Sequence, residues 1–190
     1  KNDPGAQLKK ILEAAGQNVE DTSPIFEINT KHKLYKKLLD LKGKQFNGNE
    51  YALEALNKGA SYAIIDERKF HTSTKTILVD DVLQTLQQRA NFHRGQLRCP
   101  VIGITGSNGK TTTKELMYAV LNTQYKTIAT QGNFNNHIGV PLTLLGLKKT
   151  DRFAVVELGM NQPGEIEPLA AWVEPEWAIM TEIGPAHYAH

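Results

Sequence analysis

The segment Gly103-Ile-Thr-Gly-Ser-Asn-Gly-Lys-Thr-Thr-Thr113 contains the residue types that bind a chain of phosphates. Glycines permit a tight turn, backbone N–H groups at a helix start face the anion, and a lysine reaches the outer phosphates. In loops of this kind the lysine, here Lys110, contacts the β- and γ-phosphates, and the next hydroxyl, here Thr111, binds Mg²⁺. The segment therefore predicts a nucleotide site. The residues assigned to it are Gly106, Ser107, Asn108, Gly109, Lys110, Thr111 and Thr112.

The spacing of this loop departs from the common pattern, which would place a glycine at the position of Ile104. The glycines that shape the loop are instead Gly106 and Gly109. A glycine-rich turn that carries a surface lysine is the simpler alternative. Because an apolar strand precedes the loop and a helical pattern follows it, nucleotide binding is favoured.

Glu157 ends an apolar run that includes Val155 and Val156. The carboxyl ends of parallel strands converge on the ligand crevice, and a hard cation needs oxygen ligands. Given the phosphate loop, we favour Glu157 as a metal ligand together with Thr111. The alternative is an acid that caps a helix or lies exposed at a strand end.

The segment Gly132-Asn-Phe-Asn-Asn-His-Ile-Gly-Val-Pro141 is rich in amides. Asn side chains donate and accept hydrogen bonds, and they also tolerate turn conformations, so simple turn residues are one interpretation. We favour substrate contacts for Asn133, Asn135 and Asn136. For Asn136 the predicted contact is with the substrate or the γ-phosphate.

The segment Ile183-Gly-Pro-Ala-His187 follows the last predicted strand. Imidazole is a competent metal ligand, and this segment is expected at the same sheet edge as Glu157. A single loop histidine is more often solvated, so His187 alone is a weak signal for a metal site.

Strands and helices alternate after residue 100. The predicted strands are 101–104, 127–129, 153–158 and 177–181, and the predicted helices are 112–121, 141–147 and 165–172. Each return to the same sheet edge needs a crossover, so the strands should pair in parallel. The pattern predicts an α/β fold with a mostly parallel, doubly wound phosphate-loop domain.

The region before residue 98 predicts a smaller αβ domain. Its predicted strands are 63–65 and 76–79, and its predicted helices are 50–58 and 81–93. The polar stretch 95–100 then separates a helical pattern from an apolar strand. We therefore expect a helix–strand–helix segment of uncertain origin at 1–40, one domain at 41–97 and a second at 98–190.

Composition excludes several classes of protein. The 190 residues include 22 Lys and Arg against 20 Asp and Glu, and the net charge of +2 is too small to indicate a nucleic-acid partner. The single cysteine, Cys99, cannot form an internal disulfide, and no signal-peptide pattern is present. The apolar runs fall far short of the roughly 20 residues of a membrane helix. We expect a cytoplasmic protein without membrane insertion.

The motifs together resemble the central ATPase domain of the Mur ligases. The matching segments are 105–113, 132–141, 157–161 and 183–187. The second and third are most similar to the members that join D-alanyl-D-alanine to UDP-N-acetylmuramoyl-tripeptide. Segments at 41–50, 55–60 and 79–82 resemble the family's N-terminal UDP-binding domain, so the resemblance covers about residues 41–190.

The resemblance implies ATP- and Mg²⁺-dependent amide ligation in peptidoglycan precursor synthesis. A substrate carboxylate would attack the γ-phosphate to form an acyl phosphate, and the amine of the dipeptide would displace phosphate. By resemblance, Lys110 binds the outer phosphates and Asn136 lies near the γ-phosphate. Thr111 and Glu157 hold one Mg²⁺, and His187 matches a ligand of a second. Lys110, Asn136, Glu157 and His187 are the implied catalytic residues.

Two regions depart from the family. Its C-terminal domain would lie beyond residue 190, so we expect a fragment with an incomplete ATPase domain and little turnover. Residues 1–40 lack the family's early uridine-binding signature and resemble part of the C-terminal dimerisation domain of HtpG-type heat-shock chaperones. This indicates a chimera, with self-association through residues 1–40. A divergent ligase N-terminus is the alternative.

Two further functions compete with the ligase. One is a non-enzymatic interaction module that keeps the ligase fold and nucleotide binding. The other is a small kinase or GTPase. No Asn-Lys-x-Asp motif is present, and Arg152 is the only arginine after Arg98, so the sequence disfavours the kinase and the GTPase.

Overall fold

The computed structural model describes residues 47–184, and the chain divides into two compact units between Val79 and Asp80. The predictions for residues 1–40, namely the chaperone-like segment and self-association, lie outside the described residues. Within residues 47–184, no helix is both long enough and apolar enough to cross a membrane.

The first unit pairs two short parallel strands and packs a helix against them. Its elements are a 3₁₀ turn (Gly48–Tyr51), α1 (Ala52–Asn57), β1 (Ala63–Ile65), a 3₁₀ turn (Arg68–Phe70) and β2 (Thr76–Leu78). Ala63 pairs with Thr76 in parallel register. The small core consists of Ala52, Ala63 and Ile65, against which Leu56 and Phe70 pack. The predicted αβ character of this region is confirmed.

The second unit alternates strands with helices. Its elements are α2 (Val82–Gly95), β3 (Val101–Thr105), α3 (Lys110–Leu121), β4 (Thr127–Ala129), α4 (Gly139–Leu145), β5 (Phe153–Glu157), α5 (Ile166–Val173) and β6 (Trp177–Met180). The sheet order is β4-β5-β3-β6, and every pairing is parallel. The predicted parallel α/β sheet is therefore confirmed.

Both faces of this sheet are covered, as a doubly wound fold requires. On one face Ile102, Ile104 and Val155 pack against Met117 and Leu121 of α3. On the other face the sheet contributes alternate residues of the same strands, and α2, α4 and α5 supply the opposing apolar side chains. The inner strand β3 is consequently apolar from Val101 to Ile104, and its carboxyl end leads into the phosphate loop.

The structure divides the two units between Val79 and Asp80, whereas the sequence predicts a domain boundary near residue 98. Helix α2, which precedes that point, belongs to the second unit. Ala90 of α2 is fully buried in the same core as Val140 and Leu144 of α4. The apolar face of α2 is visible in the sequence, but periodicity does not show which core receives it.

Two helices begin earlier than the sequence predicts. Helix α3 starts at Lys110 rather than at residue 112, directly after Gly109. Helix α4 starts at Gly139 rather than at Pro141, so the proline lies in its first turn. The first N–H groups of a helix have no partner within the helix, and a proline is tolerated there for that reason.

Arg94 connects helix α2 to the end of α5 and to the segment between α5 and β6. Its side chain is 5% exposed and donates to the carbonyls of Val173 at 2.9 Å and Glu174 at 3.0 Å. It also pairs with Glu176 at 2.9 Å, and the second carboxylate oxygen of Glu176 accepts the N–H of Val101. Burial acts to raise the pKa of Glu176, but its hydrogen bonds and the positive charge of Arg94 together outweigh burial, and the pKa lies below its usual value.

We expect Arg94→Met to lower the free energy of unfolding by about 3 kcal/mol, because buried carbonyls lose their donor. Urea denaturation at pH 7 measures this change. Arg89→Met on the exposed side of the same helix is the matched control and should change stability by less than about 0.5 kcal/mol. Equal losses in the two variants would contradict the assigned role of Arg94.

Candidate nucleotide and metal site

The phosphate loop joins β3 to α3 through two glycines with left-handed backbone. Gly106 has a φ of 135°, and Gly109 has a φ of 80°. A Cβ atom at Gly106 would lie 2.3 Å from Oγ1 of Thr181, so no other residue fits without displacement. Helix α3 begins immediately after Gly109, and its free N–H groups therefore open onto the loop, where they favour an anion.

Lys110 folds back over the loop that precedes it. Its Nζ donates to the carbonyl of Gly106 at 2.6 Å and to that of Ser107 at 3.1 Å. The side-chain nitrogen thus lies at the phosphate loop. Thr112 also begins α3, and it is exposed.

Residues 181–184, called here the strap, follow β6 and contact the phosphate loop. The N–H of Ser107 donates to the carbonyl of Glu182 at 2.6 Å, and its hydroxyl donates to the carbonyl of Gly184 at 2.7 Å. Asn108 Nδ2 donates to the carboxylate of Glu182 at 3.1 Å. The chain segment that leads toward His187 is therefore fixed at this loop, while His187 itself lies outside the described residues.

The carboxylate of Glu157 is 1% exposed at the end of β5. Its Oε1 accepts from Nδ2 of Asn135 at 2.8 Å and from Oγ1 of Thr111 at 3.3 Å. Its Oε2 has no hydrogen-bond partner among the described residues. Because a buried carboxylate oxygen without a partner is costly, this atom indicates a place for a cation.

The donor set of this site fits Mg²⁺. Within residues 47–184, no group of three or more His, Cys, Asp or Glu side chains is arranged to hold a metal. Mg²⁺ is typically held by one or two carboxylates together with water and substrate phosphates, rather than by an all-protein cage. Thr111 supplies a hydroxyl at the start of the phosphate-loop helix and Glu157 a carboxylate at the end of β5, as that arrangement requires.

The three asparagines of the amide-rich segment have different places. Asn135 reaches Glu157, and its own carbonyl accepts the N–H of Gly159 at 2.7 Å. Asn136 instead uses its Oδ1 to accept the N–H groups of Ile138 at 3.0 Å and Gly139 at 2.9 Å, and so caps the start of α4. Asn133 is exposed, and its carbonyl accepts the N–H of Asn135.

Two residues near this site, Lys114 and Thr130, are not among the residues that the sequence predicts for it. Lys114 is 1% exposed and donates to the carbonyl of Thr130 at 2.8 Å. A signal for it exists, because Lys114 falls at helical spacing with Met117 and Leu121 on the face that packs against the sheet. Thr130 carries no such signal, since one threonine after a strand is common.

A parallel sheet, a phosphate loop between a strand and a helix, and an acid at the end of the neighbouring strand define a P-loop nucleotide-binding domain of the α/β class. The comparisons with known proteins indicate the particular family. Residues 104–190 match the Mur ligase middle domain. This part of the chain is therefore similar to that family, in agreement with its motifs.

Proteins of one ligase type match over more of the chain. The UDP-N-acetylmuramoyl-tripeptide–D-alanyl-D-alanine ligase of Bacillus subtilis is 43% identical over 160 residues, which cover 83% of this chain and 34% of the relative. The ligase of the same name from Haemophilus influenzae is 35% identical over 191 residues and covers 95% of this chain and 41% of the relative. The chain thus spans well under half the length of these curated relatives.

Solved structures agree with the sequence matches. MurF from Acinetobacter baumannii has a TM-score of 0.69 at 37% identity and covers 77% of this chain and 32% of that one. MurF from Thermotoga maritima, in complex with ADP, has a TM-score of 0.69 at 35% identity and covers 77% of this chain and 34% of that one.

These comparisons do not support the chaperone resemblance of residues 1–40. The alignment with the Haemophilus influenzae ligase covers 95% of the chain, which is more than residues 41–190 supply, so it includes residues before 41. This favours the alternative of a divergent ligase N-terminus.

Proposed function

We propose that residues 98–190 bind MgATP as part of an amide ligase that joins D-alanyl-D-alanine to UDP-N-acetylmuramoyl-tripeptide. One observation carries this proposal. The hydroxyl of Thr111, at the start of the phosphate-loop helix, lies 3.3 Å from a buried Glu157 carboxylate whose other oxygen has no hydrogen-bond partner among the described residues. The substrates are those in the names of the similar ligases.

The proposed reaction has two steps. A carboxylate oxygen of the tripeptide forms a bond to the γ-phosphorus while the bond between the γ-phosphorus and the β–γ bridging oxygen breaks, and ADP leaves. The dipeptide amine then forms the amide bond with the acyl carbon, inorganic phosphate leaves, and the amine loses a proton to solvent. Catalysis of this kind rests on positioning and on neutralising charge.

Each residue of the site has a role in this proposal. Lys110 exchanges its loop carbonyls for oxygens of the outer phosphates, which are stronger acceptors. Thr111 and Glu157 hold Mg²⁺, which when bound neutralises phosphate charge. Asn136 keeps its Oδ1 on the helix start and offers its Nδ2 to the γ-phosphate, while Asn133 contacts substrate. Asn135 holds the Glu157 carboxylate in place beside the substrate.

Four further assignments belong to the proposal. His187 is proposed as a ligand of a second Mg²⁺. Residues 41–97 are proposed to bind the uridine nucleotide. The cytoplasmic location stays a prediction, as does the low turnover of this chain.

We expect ADP with Mg²⁺ to raise the melting temperature of the protein, since a ligand at 100 times its Kd stabilises by about 2.7 kcal/mol. Lys110→Ala should remove most of this rise, and differential scanning fluorimetry at millimolar nucleotide measures it. Lys149→Ala, an exposed lysine outside the site, is the control and should keep the rise. A rise of the same size in Lys110→Ala would contradict the assigned role of the phosphate loop.

Phosphate release separates the ligase from a module that only binds nucleotide. With ATP, the muramoyl tripeptide and D-alanyl-D-alanine supplied together, a ligase releases phosphate in proportion to amide formed. Nucleotide binding without phosphate release that depends on the dipeptide favours the non-enzymatic alternative.

A further inference from the structure

We propose that Lys114 is a positioning residue for the metal site: it fixes Thr130, and Thr130 fixes the backbone of Glu157. The inference rests on the proposed function, because the Mg²⁺ site belongs to that function. Lys114 itself contacts neither the carboxylate nor the phosphate loop in the hydrogen bonds of the described residues. Its effect on the metal must therefore pass through Thr130.

The burial of Lys114 is the first reason. Its side chain is 1% exposed, and within the described residues its Nζ has two partners: the Thr130 carbonyl at 2.8 Å and the carboxylate of Glu115 at 2.9 Å. Placing a lysine in the interior is costly unless its hydrogen bonds are made. Its neighbours on this face of α3, Met117 and Leu121, show that an apolar side chain would suit the position better for packing alone.

Thr130 is the second reason, because it joins β5 to α3 through three different atoms. Its N–H donates to the carbonyl of Val155 in β5 at 3.0 Å. Its hydroxyl oxygen accepts the N–H of Glu157 at 2.9 Å, and its carbonyl accepts from Lys114 in α3. The residue is 2% exposed. Since each contact is directional, a shift of Thr130 moves the end of β5.

The positions of the two proposed metal ligands, Thr111 on α3 and Glu157 on β5, are the third reason. Thr111 lies three positions before Lys114, on nearly the same face of α3. The link from Lys114 through Thr130 to Glu157 therefore ties the helix that supplies the hydroxyl to the strand that supplies the carboxylate. Residues that orient metal ligands in this way typically affect metal affinity by about 10- to 100-fold.

The experiment measures the affinity for Mn²⁺, a paramagnetic substitute for Mg²⁺, from the free-ion EPR signal at saturating ADP. We expect Lys114→Met and Thr130→Val each to weaken Mn²⁺ binding by about tenfold. Thr130→Ser keeps the hydroxyl that accepts from Glu157 and should bind Mn²⁺ nearly as the unchanged protein does. ADP affinity in EDTA should be the same in all variants, because the phosphate loop is unaltered.

Lys126→Met is the matched control, since Lys126 also pairs with a carboxylate, that of Asp151, but at a distance from the site along the chain. It should leave Mn²⁺ affinity unchanged. A merely structural role for Lys114 would lower the melting temperature and leave Mn²⁺ affinity intact, and that result would overturn the inference. If Lys114→Met does not fold, the comparison of Thr130→Val with Thr130→Ser decides, and equal affinities overturn it.

The same titration distinguishes a failure of the proposed function from a failure of the inference about Lys114 and Thr130. If the unchanged protein binds no Mn²⁺ in the presence of ADP, the proposed function fails and the inference fails with it. If the unchanged protein binds Mn²⁺ and both Lys114→Met and Thr130→Val bind it equally well, the inference alone is overturned.

Discussion

Glu157→Gln should remove the Mg²⁺-dependent part of nucleotide binding and at the same time make the metal-free protein more stable. Both effects follow from the Oε2 atom, which is buried and without a hydrogen-bond partner among the described residues. The glutamine keeps an oxygen for Asn135 and Thr111 but carries no charge. A neutral amide binds Mg²⁺ far more weakly than a carboxylate, and it costs less to bury.

Thermal unfolding with ADP, once in EDTA and once with Mg²⁺, measures both effects. In Glu157→Gln we expect no increment from Mg²⁺, and we expect the free energy of unfolding in EDTA to rise by about 1 kcal/mol. Glu167→Gln on the exposed part of α5 is the control and should change neither quantity. A Mg²⁺ increment that survives in Glu157→Gln would show that the cation binds elsewhere.

The parts of this site that local pattern predicts are those built from consecutive residues. Strand β3, the loop and helix α3 form one continuous segment, so residue types alone predict a strand, a glycine loop and a following helix. They place the start of that helix at residue 112, two residues after Lys110, where it begins. The sequence also predicts Glu157 at a strand end beside the loop, and β5 ends at this residue next to β3. That placement depends only on the rule that parallel strands end at the same sheet edge.

The sequence pattern does not predict which asparagine contacts Glu157. Asn135 and Asn136 are adjacent in sequence and identical in type, and only the dihedral angles of the turn decide which side chain meets Glu157. The structure gives that contact to Asn135, while the Oδ1 of Asn136 serves the first turn of α4. Sequence spacing does not carry this information, because adjacent turn residues point in different directions.

Long-range contacts set a second limit. The hydrogen bond from Lys114 to Thr130 joins a helix to a loop 16 residues away, and neither residue belongs to a recognisable motif. The packing of helix α2 is a second example. The sequence shows which face of α2 is apolar, but it does not show in which core that face is buried. Periodicity predicts that a face is buried, whereas the topology of the sheet determines what buries it.

Gly139→Ala should be the most damaging small substitution in the described part of the chain outside the phosphate loop. A Cβ atom at this position would lie 2.4 Å from the Cα of Phe134 and 2.5 Å from its carbonyl carbon. Both are backbone atoms, so no side-chain rotation relieves the overlap. The segment before Asn135 must move, and the contact of Asn135 with Glu157 is then lost. We expect the free energy of unfolding to fall by about 3 kcal/mol.

Urea denaturation measures that loss, and Gly95→Ala is its matched control. Gly95 ends α2, and no heavy atom lies within 4 Å of the position that its Cβ would take. Because alanine favours the helix over glycine, this control should gain up to about 1 kcal/mol. The opposite signs of two identical substitutions would show that the cost at Gly139 is steric. If Gly139→Ala does not lower the free energy of unfolding, the backbone of Phe134 moves at little cost, and the Asn135–Glu157 contact needs another support.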